Sequence, residues 1–466
     1  MLSTDLVPYN SSKAVSISKD RRLHTTKSDR LIETGVNRGL ERAYLVAVEA
    51  AEQDGMWSVE DSLLELEALA QTAGAEVVGT MIQRLPHADP QTYVGKGRAQ
   101  ELSENEKQLR CDLVIFDDEL TPTQQHHLEK LLDARVVDRT ALILDIFAQH
   151  ARTREGHLQV ELAQLEYRLP RLAGQDVSFT RQGGGSRGTA GGVGGAIGVR
   201  GPGETKLEID RRRIRHRISE LKAEIEGVRK QRAIHRRQRA AKAIPVVAFV
   251  GYTNAGKSTL FNVLTEAGVL AEDKLFATLD PVTRHIVLPS NQEVLVTDTV
   301  GFIQKLPTRL IAAFRATLEE VIDADILLEV VDIHHENAVE QSETVNEILE
   351  ELDASDKLRV TALNKVDLLD DVDEIDTSLY PHAVPVSALK HAGLDALCEM
   401  LVQVLAENMI QVHVLLPYTK GELVELFHRR GYVDQEEHTS DGVFIAGRVP
   451  RVLRGYYTPY MAAARV

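Results

Sequence analysis

The stretch IPVVAFVGYTNAGKSTLFNVL, residues 244–264, decides the fold. It opens on a β-branched apolar run, the pattern of a buried strand, and closes on a helical pattern. Between the two, Gly251, Tyr252, Thr253, Asn254, Ala255, Gly256, Lys257 and Ser258 fit G-x-x-x-x-G-K-[ST] in full. The glycines let backbone N–H groups wrap phosphates, and the N-terminus of the following helix faces negative charge. Lys257 is placed to reach the β- and γ-phosphates of a nucleotide, and Ser258 to ligate Mg2+.

Downstream, EVLVTDTVGF ends a strand on Asp298 and continues through Thr299 and Val300 to Gly301. Asp298 suits the magnesium shell, and the Gly301 N–H suits the γ-phosphate. RVTALNKVD then ends another strand on Asn364, Lys365, Val366 and Asp367. The Asp367 carboxylate can accept hydrogen bonds from the guanine edge that adenine does not offer. The aliphatic stem of Lys365 can cover the base. In AVPVSALK, Ser387, Ala388 and Leu389 are placed to close over the purine. Together these elements predict a P-loop GTPase unit with a doubly wound α/β sheet over residues 244–407, with GTP as substrate and GDP as product.

Upstream, strand and helix patterns alternate. AYLVAVEA, EVVGTMIQRL and CDLVIFDDE read as strands. SVEDSLLELEALAQTAG reads as a helix capped by Ser58 with Asp61 at its third position, and TPTQQHHLEKLLD as one capped by Thr121 with Pro122 in its first turn. Residues 41–150 are therefore expected to be an α/β domain, after a mobile tail over 1–40. YVGKGRAQEL, with two glycines around Lys96, reads as an ordinary turn or as a second phosphate loop.

Leu158, Leu162, Leu165, Leu169 and Leu172 recur every three or four residues, as do Ile214, Ile218, Leu221, Ile225 and Val228. Two such narrow stripes predict an antiparallel helical hairpin over 151–243, with Pro170 ending or kinking the first helix near Leu169. Eleven of the residues from Gly183 to Gly203 in its connection are glycine. The connection carries Arg181, Arg187 and Arg200 without an acid before Glu204, and is either a plain linker or a loop that threads among phosphates. From Gln411 onward, strand QVHVLLP, helix GELVELFHRRG and strand GVFIAGRVP predict a small α/β domain over 411–466.

The 466 residues carry 54 Lys plus Arg against 70 Asp plus Glu, a net charge of -16 that taken alone argues against a nucleic-acid partner. Its distribution argues otherwise: Thr205–Lys242 holds 14 basic and 5 acidic residues next to the basic Gly-rich loop. The two cysteines, Cys111 and Cys398, exclude a disulfide scaffold and a cysteine zinc site. No apolar run approaches the length of a membrane span, and no secretory leader is legible, so a cytoplasmic protein is expected.

The G-domain elements resemble those of the translation-factor-like GTPases, and FATLDPVTR resembles the first switch of the Obg-HflX superfamily. By that likeness Thr278 is the switch threonine and a magnesium ligand beside Ser258, with Phe276, Ala277, Leu279 and Asp280 flanking it in the nucleotide-binding set. Lys257, Thr278, Gly301 and Asn254 form the catalytic set. Over most of its length the chain resembles the HflX family, through YVGKG, the Gly-rich loop and RGPGETKLEIDRRRIRHRI. The resemblance implies a GTPase that binds the large ribosomal subunit and its RNA and splits stalled or idle ribosomes under stress. Its expected state is a monomer, with no DNA partner and no membrane-spanning segment. A factor for subunit assembly or storage, and a regulatory GTPase that grips a protein without RNA, are the alternatives.

Two residues depart from the common GTPase pattern. Phe302 follows Gly301 where many GTPases place a water-orienting Gln, which predicts slow intrinsic hydrolysis that a bound partner accelerates. Asn254 occupies a position that in similar GTPases helps bind K+, although an Asn also simply tolerates a left-handed turn.

Overall fold

The structure, a computed structural model, describes residues 40–50, 57–172, 202–241, 244–266, 268, 274–307, 310–311, 314–371 and 375–461. The expected N-terminal tail and Gly-rich connection fall almost wholly outside the described residues.

The first sheet is parallel throughout, in the order β2-β1-β3-β4, from β1 (Glu41–Ala50), β2 (Ala75–Leu85), β3 (Leu113–Phe116) and β4 (Arg135–Asp138). Every residue of β3, LVIF, is buried, as a central strand covered on both faces requires. Helices α1 (Val59–Ala73), α2 (Lys96–Leu109), α3 (Pro122–Leu132) and α4 (Arg139–His150) cover it. Ser58 caps α1 by accepting the Asp61 N–H at 3.0 Å. Thr121 and Gln124 form a reciprocal capping box on α3. The YVGKG stretch is the turn into α2: Tyr93 has φ 63°, and the Gly95 N–H is taken by Gln83 Oε1 at 3.0 Å.

Helices α5 (Arg154–Arg171) and α6 (Pro202–Ala241) form the hairpin. Leu158, Leu162, Leu221 and Ile225 bury the seam, flanked by Leu165 and Ile218. The ion pairs Arg232–Glu155 and Arg217–Glu161 run in opposite senses along the two helices, so they are antiparallel. Pro170 lies in the last turn of α5, which ends at Arg171, two residues beyond the stop expected near Leu169.

The second sheet has the order β10-β9-β8-β5-β7-β6, with β5 (Val246–Val250), β6 (Val282–Val287), β7 (Glu293–Asp298), β8 (Ile326–Asp332), β9 (Leu358–Asn364) and β10 (Ala383–Pro385). All neighbours are parallel except β6 and β7. Helices α7 (Lys257–Thr265), α8 (Arg315–Asp323), α9 (Ala338–Glu351) and α10 (Leu394–Glu407) lie in the same unit.

The C-terminal unit has one strand more than its sequence pattern predicts. Antiparallel β11 (Ile410–Leu416), β12 (Tyr432–Thr439) and β13 (Gly442–Val449) run in the order β11-β13-β12 beside helix α11 (Gly421–Arg430). The unforeseen strand, YVDQEEHT, sits at the edge of the sheet with no fully buried residue, so it lacks an apolar alternation. Gln292 Nε2 donates to the Gly431 carbonyl at 2.5 Å and Arg430 pairs with Glu293 at 2.7 Å, docking this unit on the β6–β7 turn.

A single hydrophobic core runs from Leu45, Leu66 and Phe147 of the first unit to Tyr252, Phe276, Phe302 and Phe314 of the second. The two sheets are therefore packed into one body at the nucleotide-facing end of the second.

Candidate functional site

The site is built at the C-terminal ends of β5, β7 and β9, the crevice where open α/β sheets bind ligands. β5 is buried along all five residues and delivers the chain to Gly251, whose φ of 139° only glycine tolerates and whose Cβ would collide with the Val330 carbonyl. Asn254 turns through φ 60°, and Gly256 through φ 94° against the side-chain amide of Asn364. α7 then starts on Lys257 with no side chain capping its first N–H groups, which leaves them for an anion. Burial pushes the Lys257 ammonium down to about 8, while the Asp298 charge opposes that shift. Lys257 Nζ donates to the carbonyls of Gly251 and Tyr252 at 3.0 and 2.6 Å.

Three side chains meet beside this loop. Ser258 Oγ lies 2.8 Å from Thr278 Oγ1 and donates to Asp298 Oδ2 at 2.7 Å, and Thr278 Oγ1 donates to the same oxygen at 3.1 Å. Asp298 Oδ1 is buried with no hydrogen-bond partner. Burial raises the Asp298 pKa, partly offset by the Ser258 and Lys257 interactions. An all-oxygen set with an orphaned carboxylate oxygen suits a hard divalent cation. Gly301 closes the floor: a Cβ there would stand 2.9 Å from Lys257 Nζ and from Thr253 Cα. Thr253, Asn254, Phe276, Ala277 and Thr299 line the same cavity.

The second cluster lies across the loop. Asn364 Nδ2 donates to the Ala255 carbonyl at 2.9 Å, while its Oδ1 accepts the Ala388 N–H at 3.0 Å. Asn364 is thus a strut between the phosphate loop and the segment expected over the base. Asp367 Oδ1 accepts from Ser387 Oγ at 2.5 Å, and Lys365 Nζ pairs with Asp332 at 2.6 Å. Val366 opens the short turn that carries Asp367, and Leu389 stands 71% exposed.

Five residues of the expected nucleotide set turn their side chains toward the first unit or the start of the hairpin. Tyr252, Phe276, Leu279 and Val300 are buried in the shared core. The Asp280 carboxylate accepts the N–H groups of Arg152 and Thr153, each at 2.8 Å, and the Thr153 hydroxyl, at the start of α5. Phe302 is 1% exposed in the same core, while its backbone carbonyl accepts the Thr253 N–H at 2.7 Å.

Around Tyr252 runs a buried polar circuit that motif reading did not anticipate. Tyr252 donates to Glu65 Oε1 at 2.5 Å and accepts the Gln304 N–H at 2.9 Å. Glu65 pairs with Arg139, Arg139 with Asp117 at 2.8 Å, and Asp117 with Lys305 at 2.5 Å. Ser62 links Asp117 at 2.7 Å to the Gln304 amide at 3.3 Å, which closes the ring. Burial and the Glu65 charge raise the Tyr252 phenol well above its ordinary value. Burial alone would raise Asp117, but the Arg139 and Lys305 charges outweigh it and hold the carboxyl below the usual range. Phe147 adds edge-to-face contacts to Phe276 and Phe314, at 4.8 and 4.7 Å between centroids. One signal in the sequence marks this circuit: Arg139 is a lone cation at the head of the apolar run ALILDIF.

Comparison with known proteins matches three family models along the chain. They are a GTP-binding GTPase N-terminal region over 60–148, a GTP-binding GTPase middle region over 150–239, and a 50S ribosome-binding GTPase over 246–365. The GTPase HflX of Lacrimispora saccharolytica is 46% identical over 413 residues, 89% of this chain and 94% of that protein. The GTPase HflX of Escherichia coli is 42% identical over 418 residues, 88% of this chain and 94% of that protein. A solved GTP-binding protein from Sulfolobus solfataricus in complex with GDP is 26% identical, covering 78% of this chain and 98% of that one at a TM-score of 0.40. Among the described residues no helix is long and apolar enough to cross a membrane. Sequence identity above two fifths across nearly nine tenths of the chain settles the lineage: this protein is a GTP-hydrolysing member of the HflX GTPase family.

Proposed function

We infer that this GTPase binds the large ribosomal subunit through its N-terminal unit, hairpin and Gly-rich loop, splits stalled or idle ribosomes, and leaves when GTP is hydrolysed. The observation that carries this reading is the attachment of both nucleotide-facing segments to the rest of the molecule. Asp280, two residues after Thr278, holds the start of α5, and Arg229 of α6 pairs at 2.6 Å with Glu319 of the helix that follows Gly301. A change at the γ-phosphate therefore has a short mechanical route to the hairpin.

Ser258 and Thr278, with Asp298 beside them, are the residues to hold Mg2+, which when bound neutralises charge on the phosphates. Lys257 adds a positive charge at the β- and γ-phosphates, and Asp367 selects guanine. Asn254 is the candidate residue beside a K+ ion. The protein is expected to act as a cytoplasmic monomer, with RNA and not DNA as its polyanion.

The test is a density-gradient profile of intact ribosomes with the purified chain and a non-hydrolysable GTP analogue. Conversion to free subunits, with the protein on the large one, is the expected result. Binding to the large subunit without dissociation would point to assembly or storage, and no ribosome binding to a protein partner.

A further inference from the structure

Hydrolysis needs a polar group to hold the attacking water, and the segment that usually supplies one does not do so here. Phe302 buries its ring in the core shared with the first unit. Gln304, two residues on, is 7% exposed and gives its amide to Ser62 Oγ at 3.3 Å.

Thr253 stands opposite. It is 5% exposed, and its Oγ1 is buried with no hydrogen-bond partner. Its N–H donates to the Phe302 carbonyl at 2.7 Å, which pins it to the segment just past Gly301. A Cβ on Gly301 would lie 2.9 Å from Thr253 Cα, Thr253 Cγ2 and Lys257 Nζ alike, so the Thr253 side chain borders the place where the γ-phosphate is expected. It lines the nucleotide cavity together with Lys257, Ser258, Thr278 and Gly301. An orphaned buried hydroxyl costs about 1–3 kcal/mol in the free protein. That cost is recovered when a partner for it arrives with the substrate.

We propose that Thr253 is a catalytic residue of GTP hydrolysis, its hydroxyl accepting a hydrogen bond from the water that attacks the γ-phosphate. The water oxygen bonds to phosphorus as the bond to the β–γ bridging oxygen breaks. The electron pair leaves with GDP, and the water proton passes to the phosphate released. Thr253 keeps its own proton and fixes the direction of attack.

The experiment compares Thr253→Val and Thr253→Ser in the full chain. Single-turnover hydrolysis is measured in K+ and in Na+ buffer, alongside Kd for GTP and GDP and a thermal melt. Valine keeps the shape and loses the hydroxyl, so hydrolysis should fall by about a hundredfold with GDP affinity unchanged, while the free protein, relieved of a buried unpartnered hydroxyl, should melt no lower than the wild type. Serine restores the hydroxyl and should recover most of the rate. A valine variant as fast as the wild type overturns the proposal, as does a serine variant as slow as valine, which would make the role one of packing. A loss in GTP affinity with the rate preserved overturns it too, placing the hydroxyl on the bound phosphate. So does a loss confined to K+ buffer, which would place it on the cation.

Discussion

Replacing Asp280 by alanine cuts the connection between the nucleotide site and the hairpin at one point. Thr278 Oγ1 reaches Ser258 and Asp298 at 2.8 and 3.1 Å, while Asp280 receives two backbone N–H groups at 2.8 Å and the Thr153 hydroxyl. Two residues of chain span at most about 7 Å, so the segment cannot leave one partner without straining the other. A hydrogen bond to a charged group is worth about 1.5–3 kcal/mol. Taking about 2 kcal/mol, the docked arrangement of this segment is favoured about 30-fold by Asp280. Helix α5 itself keeps its own cap, because Thr153 Oγ1 accepts the Gly156 N–H at 3.0 Å. On the role proposed for Thr278, the γ-phosphate needs it in place and GDP does not. By linkage, Asp280→Ala should weaken binding of a non-hydrolysable GTP analogue up to about 30-fold and leave GDP binding unchanged. Fluorescent-nucleotide titration reads both constants. Equal losses for the two nucleotides, or no loss for either, would refute the coupling.

Phe302→Gln should not accelerate hydrolysis, because the position is buried among apolar neighbours. It should lower stability by about 1–3 kcal/mol in denaturant melts, the cost of an unpartnered buried amide. A faster enzyme would show that position 302 reaches the water. With Lys257 held near 8 in the free protein, its charge is lost as pH rises through that value, whereas bound phosphates favour the charged form. Affinity for GTP should therefore fall by up to about tenfold per pH unit above pH 8, with calorimetry registering uptake of one proton. Binding that is independent of pH between 7 and 9 would contradict it. Arg139→Met leaves Glu65 and Asp117 buried without their shared cation and should cost about 3–5 kcal/mol of unfolding free energy. A loss below about 1 kcal/mol would mean that the circuit is not the main tie between the units.

The phosphate loop was legible because phosphate chemistry dictates residue type position by position. Gly251 and Gly256 take backbone angles no side chain tolerates, and Lys257 must carry charge. The hairpin seam was legible because Leu158, Leu162, Leu221 and Ile225 keep one helical period. The likeness of FATLDPVTR to a switch located that segment but not the direction of each side chain, so the commitment of Asp280 to α5 became visible only in three dimensions. The circuit around Tyr252 was hidden for a related reason. Glu65, Asp117, Arg139 and Lys305 lie tens to hundreds of residues apart, and each reads by type as a surface residue. The burial of Glu65, Asp117 and Arg139 follows from packing two sheets at one interface, which no local pattern encodes.

The charge of the second hairpin helix divides along its length, and this changes what the basic run means. Toward its C-terminal end, Arg229 pairs with Glu319 and Arg232 with Glu155, and in its middle Arg217 and Lys222 pair with Glu161 and Glu166. These cations fix α6 to α5 and to α8. Nearer the Gly-rich connection, Arg212 and Arg213 are exposed, with in-helix acids only at 3.9 and 3.8 Å, pairs that contribute little in water. A 40-residue helix rises about 60 Å, and Arg212 and Arg213 lie in its N-terminal third. A net charge of -16 is thus compatible with one polyanion-binding tip. On the proposed function, acids elsewhere in the chain would repel RNA, and exposed cations such as Arg212 and Arg213 are the residues proposed to meet it.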